Sequence, residues 1–189
     1  MTLDQETVTD LLHRVRLLED ERAIARLIAS YGPAVDCANA DGAASLWAED
    51  GSYDVEGWRM TSSSDIRAMV SSAPHGELVA AGCCHFLGPA VVTVAGDTAV
   101  ALCESLVVLR RPQPLPDSQF PHQAWQASAQ EYLVWRAAAN HFELQRREEG
   151  WRITKRTSRM LDGRPAGHRL LIAGATGASL GAEADERGA

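Results

Sequence analysis

The apolar positions between residues 8 and 35 recur at helical spacing: Val8, Leu11, Leu12, Val15 and Leu18, then Ile24, Leu27, Ile28, Tyr31 and Val35. They predict one long amphipathic helix, or two that meet near Glu19, Asp20 and Glu21, with a kink at Gly32 and Pro33, where proline removes a backbone donor and crowds the preceding turn. A second, short helix is expected over 41–47. GSYDVEGW at 51–58 then alternates as a strand, and 63–70 reads as a helix opened by serine or aspartate. Two β-rich runs, 83–94 and 98–109, flank Ala95, Gly96 and Asp97, a turn that predicts an antiparallel hairpin. Two further strands, 131–146 and 151–160, are joined through Glu148, Glu149 and Gly150. Helices first and a four-stranded antiparallel meander afterwards make an α+β domain, not a doubly wound one.

Two segments depart from this pattern. Residues 111–129 include Pro112, Pro114, Pro116 and Pro121, cannot pair as a central strand, and are expected as a long loop over one end of the sheet. Residues 174–189 are rich in Gly and Ala with almost no large apolar side chain, so they are expected as a disordered tail to a single domain of 1–173 with its core at about 18–160. At 189 residues, 46% hydrophobic and 23% charged, the chain holds enough apolar material for one core and not for two. A net charge of -7 gives no basic surface for nucleic acid or for an anionic membrane. The opening MTLDQETVTD has acids where a signal peptide is basic, and no apolar run is long enough for a membrane span, so a cytoplasmic protein is expected. Cys37, Cys83, Cys84 and Cys103 lack the spacing of a zinc site and are expected as reduced thiols. With no dinucleotide or P-loop glycine pattern, no cofactor is implied and no metal.

Strand alternation puts His85 on one face with Cys83 and Leu87, and Glu104 on one face with Leu102, Leu106 and Val108. An ionisable group on an apolar face must be paired, hydrogen-bonded or shifted in pKa, which makes Glu104 a candidate for chemistry. A lone strand histidine is more often a satisfied core residue, and a carboxylate partner changes that balance. Asp36, at the end of the first helix, is placed to accept a hydrogen bond from the His85 imidazole, fixing its tautomer and making the other ring nitrogen a base near neutral pH. Tyr31 and Asp36 are five residues apart, about 140° on an ideal helix, so both face one cavity only if the helix bends between them. Tyr53 is a further hydroxyl donor, and Asn140, Trp58 and Phe86 are expected to touch substrate. His13, His75, His122 and His168 fall in surface, loop or tail contexts and are expected to be solvated. The arginines of RITKRTSR are expected mostly on the solvated face of the last strand, with one able to pair with Glu104 or with a substrate acid.

The run LEDERAIARLIASYGPAVDCANADGAASLWAEDGSYDVEGW resembles the opening of SnoaL-like and scytalone dehydratase-like domains: an acidic helix start, an Ile-x-x-Leu repeat, a Tyr, an Asp five residues later, and a short helix leading to an aromatic and an Asp-Gly turn. CCHFLGPAVVTVAGDTAVALCESL is similar to the family's His-bearing strand, turn and next strand, and EEGWRITKR to its final strand. The resemblance implies an NTF2-like cone, with N-terminal helices packed on a curved, mostly antiparallel sheet enclosing a pocket, in a chain that forms a homo-oligomer, dimer or trimer. It implies His85 as base and Asp36 as its orienting carboxylate. Tyr31 and Tyr53 become the hydroxyls that polarise a carbonyl, and Glu104 the acid toward a leaving oxygen. The activity so implied is a cofactor-independent lyase or isomerase that dehydrates a small hydrophobic molecule of polycyclic, steroid-like or polyketide-like type. Polyketide cyclisation and a non-catalytic binding or assembly module are the alternatives. Asn140 and His141 fall where many members carry a Gly-x-Tyr stretch, and either could face inward.

Overall fold

In the computed structural model, which describes residues 4–111 and 131–181, helix α1 (Gln5–Asp36) opens at Asp4, whose carboxylate accepts the Thr7 amide at 2.8 Å. The helix is one element. Neither the acidic stretch at Glu19 nor Pro33 ends it, because losing one amide so near the C-terminus removes a single hydrogen bond. Ile24, Ile28, Tyr31 and Val35 are buried, whereas Leu11, Leu12, Val15 and Leu18 stay 43% to 64% exposed, so the first half of the apolar stripe finds no cover within the described residues. The N-cap of α2 (Ala40–Ala44) is Asn39. The chain continues through β1 (Trp47–Val55), β2 (Trp58–Met60), α3 (Ser63–Val70) and α4 (Ala73–Ala81). It then forms β3 (Cys83–Leu87), β4 (Val91–Ala95), β5 (Thr98–Arg111), β6 (Glu131–Arg147), β7 (Gly150–Met160) and α5 (Pro165–Ala175).

The strands form one sheet in the order β2-β1-β7-β6-β5-β3, with β4 also on β5. Strand β1 runs parallel to β7, and every other described pair is antiparallel. The expected strand over 83–94 is two strands, because Pro89 has no amide for the ladder. They lie end to end along one edge of β5, β3 opposite Ser105 to Leu109 and β4 opposite Thr98 to Leu102. The segment expected as a strand over 51–58 begins earlier, at Trp47, and turns back at Glu56 and Gly57 to make β2. Helices α4 and α5 are additions to the elements expected from the sequence.

The core lies between α1 and the inner face of the sheet, where Ile24, Ile28 and Val35 meet Trp47, Ala101, Cys103, Phe142, Leu144 and Ile153. Gly32 allows this approach, since a Cβ there would collide with the His85 carbonyl oxygen. Helix α5 covers part of the outer face, with Leu170 buried and Gly174 against the side chain of Leu102. The chain beyond Ala173 is therefore not wholly outside the folded unit: the Ala178 carbonyl accepts from His141 Nε2 at 2.8 Å, and the Leu180 amide donates to Glu143. Gly174 and Gly177 let this segment lie close to the sheet, where a Cβ would meet Leu102 and Thr93. The proline-rich segment beyond 111 and the last residues, 182–189, lie outside the described residues. No helix among the described residues is long and apolar enough to cross a membrane.

Candidate active site

Asp36 is the last residue of α1, and β3 passes directly opposite it. Its Oδ1 accepts from His85 Nδ1 at 2.7 Å, and its Oδ2 accepts from the His85 backbone amide at 2.8 Å. One carboxylate thus holds both the ring and the main chain of His85. The Cys83 thiol, on the same face of β3, also points at Oδ1, at 3.7 Å. Because a carboxylate only accepts, the neutral imidazole carries its proton on Nδ1, and Nε2 is the basic nitrogen. Burial pulls the His85 pKa below the ordinary imidazole value, against the opposing pull of Asp36, and the neighbouring His75 and Arg156 add to the lowering. The resting ring is neutral near pH 7, as a base must be.

His75 belongs to this cluster, contrary to the expectation of a solvated loop residue. It is buried on α4, donates Nε2–H to the Val35 carbonyl at 2.9 Å, and stands with its ring centroid 6.3 Å from that of His85. Ser72 followed by Pro74 at a helix start was the available signal for that placement.

His85 lines a cavity of about 380 Å³ between α1 and the sheet, together with Tyr31, Tyr53, Trp58 and two arginines, Arg136 and Arg156. The volume suits a small organic ligand. Tyr31 and Tyr53 meet edge to face at 6.2 Å, and Tyr31 lies 6.4 Å from the His85 ring. Burial drives the Tyr31 phenol far above its ordinary pKa, so it is a neutral hydroxyl donor. The angle between Tyr31 and Asp36 on the helix is no obstacle, because only Tyr31 lines the cavity and Asp36 stands behind the imidazole.

Arg156 comes from the segment expected on a solvated face, and it is 3% exposed. A bulge explains the difference: Leu144 pairs with Ile153 but Glu143 with Lys155, so Thr154 is an extra residue and the alternation of β7 reverses there. Inward positions run Trp151 and Ile153 before the bulge, then Arg156 and Ser158 after it. The Arg156 guanidinium sits 4.3 Å from the Tyr31 ring centroid and 4.4 Å from that of Tyr53. Asn140 is the inward-facing member of its pair with His141. It is fully buried and does not line the cavity; its Oδ1 accepts Nε and Nη2 of Arg156 at 3.1 and 2.8 Å, while its Nδ2 donates to Ser105 at 2.8 Å. It positions the guanidinium.

Like Asn140, the expected site residues Glu104 and Phe86 lie away from the cavity wall. Glu104 is exposed on the outer face of β5, and Phe86, 57% exposed, is on the outer face of β3, each one residue out of phase with the inward positions. The apolar company of Glu104 marks the face that α5 partly covers, not the cavity. Trp58 stands at the cavity with 58% of its surface exposed. Among the described residues, Asp36, Cys83 and His85 are the one trio with donor atoms within 4.8 Å of one another, as a metal ion would need. Burial and the Asp36 charge push the Cys83 thiol up to about 11, so it is protonated near neutral pH and the trio is held by its own hydrogen bonds. A larger hollow of about 840 Å³, beside the β6–β7 turn, is open and lined by Glu49, Asp50, Glu148 and Glu149 together with Arg147 and Arg152, and it includes neither His75 nor His85.

The SnoaL-like domain family matches residues 16–157. Among solved structures, an NTF2-like protein with a cystatin-like fold from Novosphingobium aromaticivorans is 37% identical, over 89% of this chain and 99% of that one, with a TM-score of 0.75. A protein of unknown function from Mycobacterium tuberculosis shares the fold at 19% identity, over 90% and 95%, with a TM-score of 0.60. A protein provisionally named a scytalone dehydratase, from Novosphingobium aromaticivorans, shares it at 15% identity, over 82% and 87%, with a TM-score of 0.53. No curated protein gives a significant match. With most of its length matched by the domain and a solved relative at 37% identity, the chain belongs to the SnoaL-like family of NTF2-like proteins.

Proposed function

We propose that the protein is a cofactor-independent lyase in which His85 removes a proton from the carbon next to a carbonyl and a small-molecule substrate then loses water. The observation that carries this reading is the His85–Asp36 pair at the cavity wall, with Nδ1 tied at 2.7 Å and the ring held neutral by burial. Nε2 takes the proton as the C–H bond breaks, and Asp36 stabilises the imidazolium that forms. Negative charge develops on the carbonyl oxygen, where the Tyr31 and Tyr53 hydroxyls are the available donors. As the C–O bond to the leaving hydroxyl breaks and the C=C bond forms, the imidazolium returns its proton to that oxygen and water departs. Glu104 has no part in this, being on the outer face. The family resemblance to dehydratases supports the reaction class, and it equally admits isomerases and cyclases.

The test is incubation with hydroxylated ketones, hydroxysteroids and polyketide-like aromatics in D₂O, followed by mass spectrometry, with His85→Ala as control. Loss of water that falls at least ~100-fold in the variant supports the proposal. Deuterium uptake without loss of water points to isomerisation, and ring closure to a cyclase. Ligands that bind and never change, in wild type as in variant, refute catalysis and favour a binding module.

A further inference from the structure

Arg156 is a full positive charge in the protein interior, and what surrounds it is neutral. Its contacts are the faces of Tyr31, Tyr53 and Phe142 and the carboxamide oxygen of Asn140; among the described residues no carboxylate pairs with it and Nη1 has no hydrogen-bond partner. A guanidinium does not lose its proton in a protein, so neutralisation is no escape. Holding it without a counter-ion costs several kcal/mol. The other buried arginine among the described residues is treated differently: Arg159 is paired with Asp54.

The cavity continues the pattern. Among the described residues its ionisable walls are His85, Arg136 and Arg156, its hydroxyls are those of Tyr31, Tyr53, Ser105 and Ser158, and no acidic side chain lines it, in a chain whose net charge is -7. Arg136 is paired at 2.8 Å with Glu56, which leaves Arg156 as the cavity cation without a carboxylate partner among the described residues. Asn140 takes up Nε and Nη2, fixing the plane of the guanidinium while leaving its charge intact. The remaining wall is apolar, with Met60, Met69, Leu87 and Val107.

We propose that the substrate is an anion: a small molecule with an apolar ring body and a carboxylate that seats on Arg156, carried in addition to the carbonyl beside which His85 acts. The inference rests on the cavity being the substrate site of the proposed lyase, and it names the class of substrate that site takes. A carboxylate in the cavity provides the counter-charge that Arg156 lacks.

The experiment is calorimetric titration of the full chain with benzoate, 2-naphthoate and cyclohexanecarboxylate, each against its primary amide, for wild type, His85→Ala, Arg156→Gln and Arg156→Lys. At least one acid is expected to bind wild type at least ~10-fold more tightly than its amide, the usual worth of a charge-assisted pair. The preference should survive His85→Ala, shrink in Arg156→Lys and vanish in Arg156→Gln. Equal affinity for acids and amides, no binding of any acid, or a folded Arg156→Gln protein with the preference intact would each overturn the proposal. The wild-type comparison stands even if Arg156→Gln fails to fold. Turnover of neutral ketones without acid preference would sink the anion and leave the lyase; acid preference with no turnover would do the reverse.

Discussion

Replacing Asp36 by Asn isolates what the carboxylate does, because the two residues have nearly the same shape. In the native protein both carboxylate oxygens accept, one from the His85 ring at 2.7 Å and one from the His85 amide at 2.8 Å. A carboxamide has one oxygen and one NH₂, so it cannot satisfy both donors. If its oxygen keeps the backbone amide, its NH₂ faces Nδ1, the imidazole must move its proton to Nε2, and the basic nitrogen is lost. If its oxygen keeps Nδ1–H, its NH₂ opposes the backbone amide. Either way, a general base worth ~10²–10⁴ in rate is disabled, about 3–5 kcal/mol of transition-state stabilisation. The carboxylate also raises the His85 pKa against the effect of burial. Without it the pKa falls further, so residual activity, lost on the acid side as His85 takes up a proton, should persist to lower pH than in wild type. The assay pairs the pH profile of kcat/KM with ¹⁵N NMR of the imidazole, whose nitrogen shifts report which ring nitrogen bears the proton even before a substrate is in hand. An Asp36→Asn protein with native rate and an Nδ1–H tautomer would refute the reasoning.

Four other outcomes follow from the structure. Gly32→Ala drives a methyl into the backbone carbonyl oxygen of His85 and is expected to lower stability by about 1–3 kcal/mol in urea unfolding; an unchanged midpoint would mean that α1 and β3 part freely. Asp54→Ala leaves the buried Arg159 without its partner and is expected to cost about 3–5 kcal/mol in the same measurement. Burial works to raise the Asp54 pKa, but Arg159, the Gly57 amide and Arg59 outweigh it and hold the group below 3.8. Its contribution to stability is therefore present above that pH and lost as pH falls through the depressed value, and acid unfolding of Asp54→Asn should show less of this loss than wild type. Glu104→Gln should leave turnover at the native level, since the side chain faces away from the cavity; a tenfold loss would return Glu104 to the site.

Local periodicity was enough to place much of the fold. The α3 helix has the bounds expected from its serine start and its apolar positions, and the strands at 98–109, 131–146 and 151–160 occur within a few residues of their expected limits. These elements are legible because burial of one face imposes a period on the residues themselves. The stretches missed lack such a period. APHGELVAA of α4 is small and mixed, and α5 lies on a sheet face the chain could not announce. The Asp36 and His85 pairing was legible too, from a helix end and a strand that a known family pattern brings together.

What the chain alone determined is which residues can do chemistry and roughly which elements bear them. What only the tertiary structure decided is which way each points. The single extra residue at Thr154 turns Arg156 inward from a run that reads as solvated, and strict alternation on β5 keeps Glu104 outside while Ser105 enters the cavity wall. α4 folds His75 under the last turn of α1, against a carbonyl 40 residues away in the chain. A side chain's face depends on the register of its strand with its neighbours, and one bulge reverses it, so the direction of a polar group is a property of pairing across the sheet, and the residues of one strand do not carry it.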